Sequence, residues 1–143
     1  LNAAGRLEDM AIGIRCLLET DAIRARTLAR ALDELNVARR ELEREMVRDA
    51  ELIVAQHESR VSARYGVCVY DPGWHQGIVG LVASRLREKI DRPVSAFADA
   101  GVVAPDELKG SARSIAALHV RDALDAVAAR HPGMLVRFGG HAM

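Results

Sequence analysis

Gly66-Val-Cys-Val-Tyr70, Asp71-Pro-Gly-Trp-His-Gln-Gly77 and Ile78-Val-Gly-Leu-Val-Ala-Ser-Arg-Leu-Arg-Glu-Lys-Ile90 run on from one another. The first piece is short and rich in β-formers, which predicts a strand. The second carries Pro-Gly and a closing Gly, which predict a loop. In the third, Val79, Val82, Ala83, Leu86 and Ile90 recur at helical spacing, so one face of a helix is apolar. Strand, loop, helix is the unit of an α/β domain, where ligands gather at the carboxyl ends of strands. His75 and Gln76 fall at that end, just before a helix N-terminus. A packed loop with a satisfied histidine explains Trp74-His75 equally well.

Downstream, Asp91-Arg-Pro93 stops the helix and Val94-Ser-Ala-Phe-Ala98 predicts a second strand. Pro105-Asp106 predicts a turn that closes a hairpin between Val102-Val103 and Glu107-Leu-Lys-Gly-Ser111. Gly110-Ser-Ala-Arg-Ser114 then brings two hydroxyls and a guanidinium beside a glycine. Serine hydroxyls, backbone N–H groups and arginine together make a phosphate clamp, although ordinary polar turns use the same residues. A helix is expected from about His119 to Arg130, ended by His131-Pro-Gly133, and Leu135 to Phe138 predicts a last strand. The order from residue 66 is then roughly β-α-β-β-β-α-β. Gly139-Gly140 permits close approach and φ > 0 without a Cβ penalty. A helix beginning at His141 would present free N–H groups that favour an anion. The sequence begins without Met and stops inside that element, as expected of a piece of a larger polypeptide.

Upstream, Thr20-Asp21 reads as an N-cap. From Ala22 to about His57 there is no Gly and no Pro, and Leu28, Leu32, Leu35, Ala38, Leu42, Met46, Ala50 and Ile53 recur in steps of three and four. Some 36 residues of helix make a rod of roughly 54 Å. Such a helix pairs in a coiled coil or bridges two domains. Its Arg- and Glu-rich faces are solvated faces, with Arg39 and Glu43 a pair four apart. Before it, Leu1-Asn-Ala-Ala-Gly-Arg-Leu7 predicts a loop of small residues. Glu8-Asp9 then opens a helix with Met10, Ile14, Leu17 and Leu18 on one face. Arg6 is either a surface arginine or, with small neighbours leaving room for a ligand, a phosphate contact.

The chain has 143 residues, half of them hydrophobic, which suits one domain or one small domain with an appendage. No apolar run approaches the roughly 18–20 residues of a membrane span, and no signal peptide is visible. Formal net charge is zero, so no global field draws the chain to nucleic acid or membrane. Residues 1–60 hold 10 Arg against 12 acidic residues, and residues 61–143 hold 10 Lys plus Arg against 8. Any anion site is therefore local. Tyr65, Tyr70, Trp74, Phe97 and Phe138 are the only aromatics, too few for a base-stacking platform. Cys16 and Cys68 read as buried free thiols, consistent with a reducing cytoplasm. No metal-ligand spacing, nucleophile elbow or P-loop occurs.

Six stretches in register resemble the RecJ family of single-strand-specific DNA exonucleases, in the DHH phosphoesterase superfamily. They are Leu1-Asn-Ala-Ala-Gly-Arg-Leu7, Asp71-Pro-Gly-Trp-His-Gln-Gly-Ile-Val-Gly-Leu-Val-Ala-Ser-Arg85, Arg92-Pro-Val94, Leu108-Lys-Gly-Ser-Ala-Arg-Ser114, Leu118-His-Val-Arg-Asp-Ala-Leu124 and Phe138-Gly-Gly-His-Ala-Met143. The last is similar to the start of the family's Gly-Gly-His-Ala-x-Ala-Ala-Gly motif. Ala112 stands where relatives commonly have glycine.

The resemblance implies an α/β fold in three parts. Residues 1–20 would end an N-terminal DHH domain, 21–60 would be a connecting helix, and 61–143 most of the DHH-associated domain. It implies a metal-dependent 5′→3′ exonuclease of DNA repair and recombination. Two Mn²⁺ or Mg²⁺ ions would be held by residues outside this chain, leaving these residues inactive alone. By similarity, Arg6, Ser111 and Arg113 would hold DNA phosphates, including the 5′ end. Gly139, Gly140 and His141 would line the cleft opposite the metals, with His75 nearby. Single-stranded DNA is the implied ligand. Single-strand-binding protein and other repair proteins are candidate partners of a cytoplasmic monomer with no membrane role. Two other readings stay open: a superfamily phosphodiesterase acting on oligoribonucleotides or cyclic dinucleotides, and a non-catalytic nucleic-acid-binding or dimerisation module like the related domain of alanyl-tRNA synthetases.

Overall fold

The computed structural model describes residues 1–57, 65–102 and 104–140. Two short helices, α1 (Ala4–Leu7) and α2 (Ala11–Leu18), precede the long α3 (Ala22–Gln56). Then come β1 (Val67–Tyr70), α4 (Val79–Ile90), β2 (Val94–Asp99), β3 (Leu108–Arg113) and α5 (Val120–Arg130). Long helix followed by a mixed sheet with helices is the α/β arrangement expected.

The sheet has the order β1-β2-β3. β1 and β2 are parallel, with Val67 opposite Val94 and Tyr70 opposite Phe97. α4 is the crossover between them, as a parallel pair requires. β2 and β3 form an antiparallel hairpin in which Val94 faces Arg113 and Ala96 faces Ser111. Side chains alternate along a strand, so Val67, Val69, Val94, Ala96 and Ala98 lie on one buried face. Val79, Val82, Ala83 and Leu86 of α4 pack on that face. Met46 and Ala50 of α3 close the core from the other side of α4. The opposite sheet face is open, and it carries Tyr70, whose hydroxyl donates to Asp99 at 2.7 Å.

α3 starts where its cap is. Asp21 accepts from the N–H groups of Ile23 and Arg24 at 3.1 and 2.8 Å, which satisfies two of the free donors at the helix start. Its 35 residues span about 52 Å. The helix packs along its own chain rather than standing as a lone stalk. Leu32, Met46 and Ala50 are buried, and charged pairs flank the apolar contact with α4. Glu43 accepts from both Arg39 and Arg85, and Lys89 meets Glu51 at 2.8 Å. Hydrogen bonds first to Glu43 and then to Glu88 raise the pKa of Arg85.

Several expectations are corrected. Residues 4–7 form a helical turn, because buried Ala3 and Ala4 let it pack closely on α3. The apolar face assigned to α2 is turned outward, with Leu17 and Leu18 71% and 75% exposed. Gly13 is the residue of α2 that is buried, since its bare backbone allows close approach. Val102 sits in a turn and Val103 lies outside the described residues. The hairpin partner of β3 is β2 itself, joined through a turn closed by Ala100 N–H to Glu107 O at 3.0 Å. Residues 135–138 are irregular backbone, so the described order from residue 66 is β-α-β-β-α. Cys68 is exposed and Cys16 partly buried, because Cys68 points to the uncovered sheet face.

Met46 is 2% exposed within the core while Leu52 is 60% exposed on the same helix. Met46→Ala is expected to cost about 2–5 kcal/mol. Leu52→Ala should stay within about 0.5 kcal/mol. Urea unfolding of both variants checks that α3 packs through this stripe.

Candidate nucleic-acid phosphate site

The first turn of α4 lacks a capping side chain. Gly77 N–H donates to Nδ1 of His75 at 3.1 Å, and Ile78 N–H to the His75 carbonyl at 2.9 Å. The N–H groups of Val79 and Gly80 meet no acceptor among the described residues. A helix start with free N–H groups carries roughly half a positive charge and favours an anion.

Two arginines flank this turn, each from a different element. Arg6 of α1 donates through Nη1 to the Gly77 carbonyl at 3.3 Å. The approach is close: a Cβ on Gly77 would lie 1.9 Å from the Arg6 carbonyl oxygen. Only glycine fits there, so α1 is locked to the loop that launches α4. Arg113 comes from the other side. β3 runs through Arg113 instead of ending at Ser111, so Ser111 and Arg113, two apart, share the inner sheet face. Arg113 donates through Nε to Ser84 Oγ at 3.0 Å, and through Nη1 to Ser111 Oγ at 2.8 Å and the Ala112 carbonyl at 2.9 Å. Its Nη2 lies 3.1 Å from where a Cβ on Gly80 would sit, and Ser111 Oγ 3.2 Å. Neither arginine forms an ion pair among the described residues. A cavity of about 690 Å³ opens beside Arg6, lined also by Asn2, Asp33, Asn36, Arg39 and Leu81.

The site therefore unites Arg6, Ser111, Arg113 and His75, which the sequence scatters over 108 positions from 6 to 113. It does not gather Gly139 and Gly140: a Cβ on either would meet nothing within 4 Å. His141 lies outside the described residues. Three contributors escaped the sequence reading: Gly77, Gly80 and Ser84. Gly80 carried a signal, since a glycine inside a helical pattern costs about 1 kcal/mol against alanine and usually has a packing reason. Among the described residues no cluster of three or more His, Cys, Asp or Glu could hold a metal ion.

Residues 60–143 match the DHHA1 domain. The chain belongs to the DHHA1 domain family. Along its whole length it is 52% identical to the single-stranded-DNA-specific exonuclease RecJ of Dickeya dadantii, of which it spans 24%. The crystal structure of RecJ with Mn²⁺ from Thermus thermophilus superposes with a TM-score of 0.79 at 33% identity, covering 99% of this chain and 19% of that one. The same protein with Mg²⁺ gives 0.78 at 33% identity, covering 99% and 20%. The match beyond the DHHA1 domain includes α1 with Arg6 and all of α3.

Gly77→Ala should force Arg6 and the α4 loop apart. Overpacking of this kind costs about 1–3 kcal/mol. Hydrogen exchange should quicken at the amides of Arg6, Leu7 and Glu8, which bond within α1, with β1 and β2 unaffected.

Proposed function

We propose that this chain is the substrate-binding half of a metal-dependent 5′→3′ single-stranded-DNA exonuclease acting in DNA repair and recombination. Arg6, Ser111 and Arg113 bind DNA phosphates, including the 5′ end, at the free N-terminus of α4, and His75 braces that turn. The observation that carries the reading is two arginines, from α1 and β3, that have no ion-pair partner among the described residues and meet one helix start without a capping side chain. That arrangement suits a compact multivalent anion, and arginine forks match phosphate geometry. The similarity to RecJ exonucleases supports a DNA phosphate as that anion. The five aromatics are consistent with recognition of backbone rather than base faces.

Hydrolysis belongs to metal ions held outside these residues. Bound ions would activate water and stabilise the leaving oxygen. The residues of this chain fix the phosphate in place and offset its charge. Gly139, Gly140 and His141 would, by similarity, line the cleft opposite the metals. In the domain plan, residues 1–20 close a preceding DHH domain, 21–60 connect, and 61–143 bind substrate. The outward apolar residues Ile14, Leu17, Leu18 and Ile23 support a body packed against α2 and the start of α3.

Fluorescence anisotropy with a 5′-phosphorylated single-stranded oligonucleotide tests the reading. Binding should be weak and fall with salt. Arg113→Ala should lose about tenfold or more in affinity, the scale of a hydrogen bond to a charged group. Equal binding by wild type and Arg113→Ala would remove this site from substrate recognition.

A further inference from the structure

Arg113 has five N–H donors, and the fold consumes three of them. Nε–H goes to Ser84 Oγ at 3.0 Å, and the two on Nη1 go to Ser111 Oγ and the Ala112 carbonyl. The donors left over are both on Nη2, which lies over Gly80. Ser111 and Ala112 are on the same strand as Arg113 and hold only the Nη1 corner. Ser84 is on α4, one turn after Gly80, and it holds the opposite edge. A guanidinium fixed at one corner still pivots; one fixed at two edges presents a single nitrogen in a single direction. That direction is the first turn of α4, where the N–H groups of Val79 and Gly80 meet no acceptor among the described residues.

We infer that Ser84 is a positioning residue for the phosphate site. With Gly80 clearing the space one turn earlier, its hydroxyl fixes the edge of Arg113 so that Nη2 and the α4 N–H groups address the same anion. The inference rests on the phosphate reading of the site above and extends it to a residue that touches no ligand. Pre-orientation lowers the entropic cost of binding instead of adding a contact. Its loss therefore weakens binding while the arginine, its charge and the fold remain.

The test uses Ser84→Ala and Ser84→Thr in this chain, with a 5′-phosphorylated oligothymidylate as probe. Two quantities are read: affinity, and exchange of the Arg113 Nε–H with water by NMR. Ser84→Ala should weaken binding about three- to tenfold, the scale of the net contribution of one typical hydrogen bond, and speed Nε–H exchange, with Tm nearly unchanged. Ser84→Thr keeps the oxygen and should restore both. Wild-type affinity in Ser84→Ala, or Nε–H exchange equally fast in both proteins, overturns the positioning role and leaves the phosphate site standing. No binding of the probe by the wild type overturns the phosphate reading and this inference together. A fall in affinity that Ser84→Thr fails to restore also overturns it, because the oxygen would not be what matters.

Discussion

α4 is held on two sides at once, and the other elements take their places from it. Its Val82, Ala83 and Leu86 are essentially inaccessible between the inner sheet face and Met46 and Ala50 of α3. Burying three such apolar side chains is worth several kcal/mol, at roughly 1.5–3 for each large one. A helix buried this way neither slides nor rotates without exposing the stripe. Its first turn is thus fixed relative to β3, which supplies Arg113, and to α1, which supplies Arg6. The site inherits its rigidity from the core behind it.

The same helix separates core from chemistry by angular position. Val79, Val82, Ala83 and Leu86 face inward, while Gly80 and Ser84, four apart, face the β3 arginine. Uncompensated positive charge gathers at the helix start, where the dipole adds to it. Placing cations there is unfavourable by about 0.3–1 kcal/mol each when no anion is present. Arg39 and Arg85 are paired with Glu43, whereas Arg6 and Arg113 form no ion pair among the described residues. Arg85 thereby ties α4 to α3, and Arg39 braces the same carboxylate within α3.

How much of this was legible in the sequence follows from how local each feature is. The long helix, the strand–loop–helix unit and α5 were legible because periodicity and caps are local signals. Asp21 caps α3 where the pattern placed it. The hairpin was mislaid because Pro105-Asp106 marks a turn without saying which flanking run is the partner, and β2, further off, won. Ser111 and Arg113 were singled out as a polar turn; as strand residues they share a face only because β3 continues past Ser111. Ser84 and Gly77 carried no readable role, since each acts through one contact with a residue remote in sequence: Arg113 for the first, Arg6 for the second. α2 deceived the reading because an amphipathic pattern shows an apolar face without saying what covers it.

A ¹H–¹⁵N correlation titration of this chain with a 5′-phosphorylated oligothymidylate tests the central claim most directly, that the N-terminus of α4 receives a nucleic-acid phosphate. The largest and earliest shifts are expected at the amides of Val79 and Gly80, followed by Ser111 and Arg113, all suppressed by salt. Shifts confined to other surfaces, with the Val79 and Gly80 amides unmoved at saturation, would contradict it.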